Sequence, residues 1–270
     1  MDRRRFLACS AAAAAATAAP ARLFAQPAPD LRTRRLLDVA REQATRASGS
    51  LWHTDLVGIA DFGLHSAEPR FHFVDLLGGR VDSVLVTHGA GSDPEHDGWL
   101  NGFSNVPDSW ATSRGAYITW EWYRGRYGTS VRLGGLDPDN SNAFPRAIVM
   151  HSASYATPEH VGRWGRLGRS NGCFAFGPEV FPQTLYRLAG GRLVFADRLG
   201  IGEDGEQVAL PAQETVDFES AVAERRASGA AEEFNRNAAI PPELLPEPGI
   251  EPGIGSDIPA DAPVADMPLD

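Results

Sequence analysis

Ala147-Ile148-Val149-Met150-His151-Ser152 and Arg169-Ser170-Asn171-Gly172-Cys173-Phe174 bracket a short segment in the second half of a 270-residue chain. The first is an apolar run that carries one histidine toward its end. It reads as a strand, a rigid place to hold an imidazole. Histidine titrates near neutral pH and can take a proton from a thiol. The second segment sets a glycine directly before a cysteine. Glycine lets the backbone approach a substrate carbonyl, and N–H groups in such a turn can face a developing oxyanion. Arg166 and Arg169 precede the turn, and if close in space their charge would favour the thiolate. Between the two segments, Thr157-Pro158-Glu159 has the form of a cap, a first-turn proline and an early acid. That pattern opens a helix running to about Leu167. The helix would have to fold back to bring His151 to Cys173.

Outward from this pair, short apolar runs are broken by Gly, Pro, Asp and Asn. Strands are expected over residues 56–62, 70–76, 81–87, 115–122, 130–133, 147–151 and 192–196. Phe71 and Phe73 alternate with His72 and Val74, the pattern of a strand with one buried face. A helix over 31–48 carries Leu31, Leu36, Leu37, Ala40, Ala44 and Ala47 on one approximate stripe. Another spans 178–189 and closes at Gly190-Gly191. The fold class is therefore mainly β with a few helices. A polar, alanine-rich helix is expected within 214–238. Beyond Pro241 the chain is rich in Pro, Glu and Asp and repeats Glu-Pro-Gly-Ile, a composition expected to be disordered.

Charge divides the chain. Its net charge is −10, and all 25 basic residues are arginine. Residues 203–270 hold 16 acidic side chains against three arginines, so the acidity belongs to the tail and the body is close to neutral. A neutral body with an acidic tail excludes nucleic acid as a partner, which calls for a basic face. Arg3-Arg4-Arg5-Phe6-Leu7, the alanine-rich run that follows and Leu23-Phe24-Ala25 together read as a twin-arginine export signal over residues 1–25. The apolar run is too short to span a bilayer, which needs about 20 residues. Cleavage near Ala25 would remove Cys9 and leave Cys173 alone, as a bystander, an intermolecular link or a reactive thiol.

The two bracketing segments resemble the signature of the L,D-transpeptidase (YkuD-like) family, a strand ending in His followed by Ser-His-Gly-Cys. Thr112-Ser113-Arg114-Gly115-Ala116-Tyr117 resembles that family's Thr-Pro-x-Gly-x-Phe strand. Val84–Gly89 resembles the strand before it, and residues 190–197 the closing one. The similarity runs from about Val81 to Arg198 and looks closest to the murein L,D-transpeptidase catalytic-domain branch. The resemblance implies a β-sandwich-like domain over 51–202, preceded by an N-terminal helix in 26–50 and followed by a largely disordered tail over 203–270. It implies that Cys173 attacks a peptidoglycan tetrapeptide stem and releases D-alanine. An amine acceptor then takes the acyl group. His151 is the implied base, the Ser152 carbonyl orients it, and N–H groups around Gly172 and Cys173 hold the oxyanion. Ser170, Asn171, Arg169, Arg166, His88 and Tyr117 are the implied substrate-binding residues. The family needs no metal or organic cofactor. Its partners would be peptidoglycan peptide stems in the periplasm or cell envelope.

This chain departs from the family pattern in three places. Asn171 stands where the second histidine of the motif falls, and it retains a hydrogen-bond donor. Phe174 and Ala175 stand where an aliphatic residue and an arginine follow the cysteine. Arg166 or Arg169 is expected to replace that arginine. The gap from His151 to Cys173 is long for the family. Other readings stay open. The same thiol could serve an L,D-carboxypeptidase. A zinc peptidase could use His88, His96 and His151. A decayed site would leave a non-catalytic wall-binding protein. Thr87–Gly98, rich in histidine, carboxylate and glycine, reads as a solvated loop beside the cleft. Trp99, Trp110, Trp120, Trp122 and Tyr123 read as core or cleft walls.

Overall fold

The computed structural model describes residues 29–230, apart from residues 126, 213 and 214. The expected export signal over residues 1–25 and the tail from residue 231 lie outside the described residues. The strands are β1 (Leu56–Asp61), β2 (Phe71–Asp75), β3 (Arg80–Val84), β4 (Gly115–Gly125), β5 (Gly128–Gly135), β6 (Val149–Ser152), β7 (Phe174–Phe176) and β8 (Leu193–Asp197). The helices are α1 (Leu31–Ala47), α2 (Pro158–Trp164), α3 (Phe181–Leu188) and α4 (Phe218–Ala227). All eight strands join one mixed sheet in the order β3-β2-β1-β8-β4-β5-β6-β7. The domain is mainly β with a few helices.

The sheet curls around its larger core until its two ends meet. Phe71 on β2 packs edge-on against Phe176 on β7, with ring centroids 4.9 Å apart. Past β3 the chain leaves the regular ladder and bonds to the far end. Thr87 N–H donates to Ala175 O (3.0 Å), Ala90 N–H to Ser170 O (2.7 Å) and Ser170 N–H to His88 O (3.0 Å). This is why the strand expected over 81–87 stops at Val84. Its continuation closes the sheet instead, and so lies directly behind the cysteine turn.

β2 is buried on both faces, not one. Phe71 and Phe73 enter the large core, while Val74 joins a second core beneath α1. That helix starts at Asp30, whose carboxylate accepts the Thr33 N–H (2.7 Å). Its stripe of Leu36, Leu37, Ala40, Ala44 and Ala47 is buried against Val57, Ile59, Leu193 and Phe195. Residues 31–47 therefore share a core with the strands.

The chain beyond β8 is also partly built into the body. The buried Asp61 carboxylate accepts the N–H groups of Gly63, Leu199, Gly200 and Ile201 at 2.7–3.0 Å. Ile201 enters the second core. α4 buries Val222, and Arg225 donates to Asp108 O and Ser109 O. The expectation of a largely disordered tail from residue 203 thus fails for 203–212, and the helix expected within 214–238 is present as α4. Val222 and the two arginines of α4 supply the burial and bonds that acidic composition hid. Among the described residues no helix is long and apolar enough to cross a membrane.

Candidate active site

β6 and β7 are parallel neighbours, with Met150 opposite Phe174 and His151 opposite Ala175. Met150 and Phe174 point into the large core. Strand alternation sends Val149, His151 and Cys173 to the other side. There they line a pocket of about 390 Å³ with Tyr123, Tyr127, Arg146 and Tyr155. From strand spacing, His151 and Cys173 are diagonal neighbours about 8 Å apart at Cα. Among the described residues no hydrogen bond joins them. The thiol instead lies 3.7 Å from Ala147 O. The sharp return needed between the two segments is made by α2 and the loop after it. α2 is capped by Thr157 and ends at Gly165 in a left-handed conformation (φ 71°).

His151 is held in one orientation. Its Nδ1 lies 3.0 Å from Ser152 O. A carbonyl can only accept, so Nδ1 carries the proton, and Nε2 of the neutral ring is left as the basic nitrogen. Tyr127 stacks on the other surface of the ring, 4.6 Å between centroids and 24° between planes. The imidazole is 2% exposed, and this burial lowers its pKa from the usual value.

The cysteine turn is set by glycine and serine. Gly172 has φ 107°, where a Cβ would lie 2.6 Å from Ala111 O. Ser170 Oγ donates to Cys173 O (2.6 Å) and accepts the Gly172 N–H (3.2 Å). Ser170 is therefore buried and holds the turn. Cys173 is half-buried at the pocket floor. Desolvation by the pocket walls pushes its thiol up to about 11, against smaller lowering effects from the Val149 N–H and Arg146.

Asn171 and Arg169 line the same pocket. Arg169 also donates to Asp93 O and Pro94 O, which pins it to the neighbouring loop. Arg166 does not line the pocket and donates to Trp164 O (3.2 Å). Tyr117 is fully buried against Phe174 and donates to Ser113 O (2.6 Å), so it faces the core and no substrate. His88 is 1% exposed and likewise lines no cleft. Arg70, itself fully buried, lies 2.9 Å from His88 Nδ1 and can only donate. His88 Nε2 must then donate to Asp93 Oδ2 (3.1 Å), which fixes a neutral ring. Burial lowers the His88 pKa to about 4. The loop expected to be solvated is thus partly interior, with Ser92 and Asp93 fully buried. His88, His96 and His151 each keep separate partners, His96 lying 3.1 Å from Leu167 O. Among the described residues no three His, Cys, Asp or Glu side chains gather as a metal site would need.

Sequence reading missed Arg146, Tyr127 and Tyr155 in the pocket. Arg146 is part-buried and donates to Ser104 O, Ser113 Oγ, Ser109 Oγ and Ala111 O. Its place just before the histidine strand was the available signal. Of the expected aromatic walls, Tyr123 lines the pocket, whereas Trp122 is 62% exposed elsewhere. A larger cavity of about 760 Å³ lies near Pro69, Leu85, Pro158 and Val180. It is lined by no cysteine or histidine, so the smaller pocket is the chemical candidate.

A curled, mainly β domain with an oriented histidine on β6 and a cysteine in the turn that leads into the adjacent β7 defines a cysteine–histidine class of site. The family model for the L,D-transpeptidase catalytic domain matches residues 33–196. The chain belongs to the L,D-transpeptidase catalytic-domain family. No curated protein matches the chain. Among solved structures, an L,D-transpeptidase from Mycobacterium smegmatis is similar at 16% identity and a TM-score of 0.33, over 53% of this chain and 58% of that one. L,D-transpeptidase 3 from Mycobacterium tuberculosis, in complex with a faropenem-derived adduct, gives 16% and 0.35 over 53% and 60%. The helical cell shape determining protein Pgp2 from Campylobacter jejuni gives 12% and 0.33 over 77% and 67%. The chain spans less than two thirds of the mycobacterial structures it matches.

Proposed function

We propose that this domain is a peptidoglycan L,D-transpeptidase with Cys173 as nucleophile. The observation that carries the reading is the shared pocket. The Cys173 sulfur and the His151 ring open into one cavity, and Nδ1 of that ring is already committed to Ser152 O. Substrate arrival lets Nε2 take the thiol proton as Sγ attacks the carbonyl of the stem's third residue. The S–C bond forms, and the oxyanion falls to the Cys173 N–H, because the Gly172 N–H is spent on Ser170 Oγ. Collapse breaks the amide C–N bond, and the imidazolium protonates the departing D-alanine. The amine of a second stem attacks the thioester, reforms an amide and returns the thiol. Water in that place gives an L,D-carboxypeptidase from the same intermediate. The twin-arginine pattern at Arg3-Arg4-Arg5-Phe6-Leu7 supports the periplasm or cell envelope as the setting of this work.

Incubation of the protein and its Cys173→Ala variant with purified muropeptide tetrapeptides, read by mass spectrometry, tests the reading. We expect D-alanine loss with new crosslinked dimers, both absent in the variant. D-alanine loss without dimers would assign hydrolysis instead. Products that persist in a folded Cys173→Ala variant would refute the thiol mechanism.

A further inference from the structure

We infer that Arg146 is the cation that stabilises the thiolate of Cys173, acting through space on the sulfur while it ties the 104–113 loop beneath the Gly172 turn. The inference rests on the reading of Cys173 as nucleophile. Arg146 lines the same pocket, and its guanidinium lies 3.2 Å from the position a Cβ on Gly172 would take. All four of its terminal N–H acceptors are neutral: two carbonyls at 2.9 and 2.6 Å and two hydroxyls at 2.7 and 3.2 Å. None of the ion pairs among the described residues involves it. A part-buried guanidinium solvated by dipoles, whose nearby carboxylate Asp108 is itself paired with Arg226 (3.0 Å), keeps most of its field for whatever anion forms nearby. Its terminal N–H groups are occupied, so it is not built to clamp a substrate carboxylate.

The other charged groups around the sulfur do not compete. Arg132 pairs with Glu121 (3.6 Å) and lies over the Tyr123 ring. Arg169 is turned to Asp93 O and Pro94 O, with the Asp93 carboxylate close enough to offset its charge. His151 is held neutral by burial, and Tyr123 and Tyr155 are pushed toward their neutral forms by the same cause. Tyr127 stacks on the imidazole. Arg146 is also a cation that lowers the Cys173 pKa, while an ionised Cys173 raises that of Arg146 in return. The held guanidinium needs no reorganisation when the charge forms.

The test is the pH dependence of Cys173 alkylation by iodoacetamide in the wild-type protein, Arg146→Met and Arg146→Lys, with thermal unfolding followed in parallel. Methionine keeps the stem and removes the charge. Its titration midpoint should rise by about one pH unit, slowing alkylation at pH 8 roughly tenfold. Lysine keeps the charge but cannot serve four acceptors, so its midpoint should stay near wild type while its Tm falls. A folded Arg146→Met protein with the wild-type midpoint overturns the inference. If Arg146→Met shows no cooperative unfolding, Arg146→Lys decides, and a midpoint about one pH unit above wild type in that variant overturns it. Muropeptide turnover by Cys173→Ala separates this from the nucleophile reading. Persistent turnover there refutes the nucleophile while leaving the alkylation result to judge Arg146.

Discussion

At Cys173 two effects oppose each other. The pocket walls desolvate the sulfur and push its pKa up to about 11, while the Val149 N–H and Arg146 pull the other way and lose. His151 is depressed by its own burial. The resting pair is therefore thiol and neutral imidazole, and the nucleophile must be generated in the substrate complex. Alkylation of the free protein should accordingly keep rising past pH 9, and a midpoint below 7 would show a preformed ion pair instead. Gly172 is the other sensitive position. Alanine there meets Ala111 O at 2.6 Å with φ at 107°, so Gly172→Ala should cost on the order of 1–3 kcal/mol and most of the turnover, read by Tm and by product formation. Cys173, His151 and Gly172 could be singled out in the sequence because their chemistry is particular to the residue type. Arg146 offered only its place just before the histidine strand, because its importance lies in reaching Ala111 and Ser113, distant in sequence. Tyr117 and His88 were misread as cleft residues, because adjacency to a motif does not tell which face of a strand a side chain takes.

Among the elements, α1 tests whether the N-terminal helix is integral. Leu36 is fully buried between the helix and the sheet. Leu36→Ala should cost about 2–5 kcal/mol in chemical denaturation, and a helix that is only appended would lose less than about 0.5 kcal/mol. The amphipathic stripe predicted this helix within one residue of its end. β7 was invisible in the sequence, since three residues of Phe-Ala-Phe directly after the cysteine turn carry no period. It exists because β6 and the Thr87 segment pair with it from two sides. The break of β3 at Val84 has the same long-range cause. Local pattern shows where an element can form, and here sheet closure decides where it stops.

For the whole molecule, buried histidines set the acid limit. His72 is lowered to about 3 and His88 to about 4, both chiefly by desolvation. The folded state keeps them neutral, while the unfolded chain protonates them below about pH 6.5. Stability is therefore full above that value and drains as pH falls from about 6.5 toward 4, by on the order of a few kcal/mol. A Tm that stays flat from pH 7 to 4.5 would contradict this. The tail shows the limit of composition as a guide. Composition marked the stretch from residue 203 as largely disordered apart from one helix within 214–238, yet Asp61, Val222 and Arg225 anchor both that helix and the chain before it to the body.

The most direct measurement is intact-protein mass spectrometry after brief mixing with a muropeptide tetrapeptide, without an acceptor. Thioester formation at Cys173 predicts a protein heavier by the substrate less D-alanine, with the added mass on the proteolytic fragment that holds Cys173 and absent from Cys173→Ala. An adduct on another residue, or D-alanine release by the Cys173→Ala protein at the wild-type rate, would contradict the account.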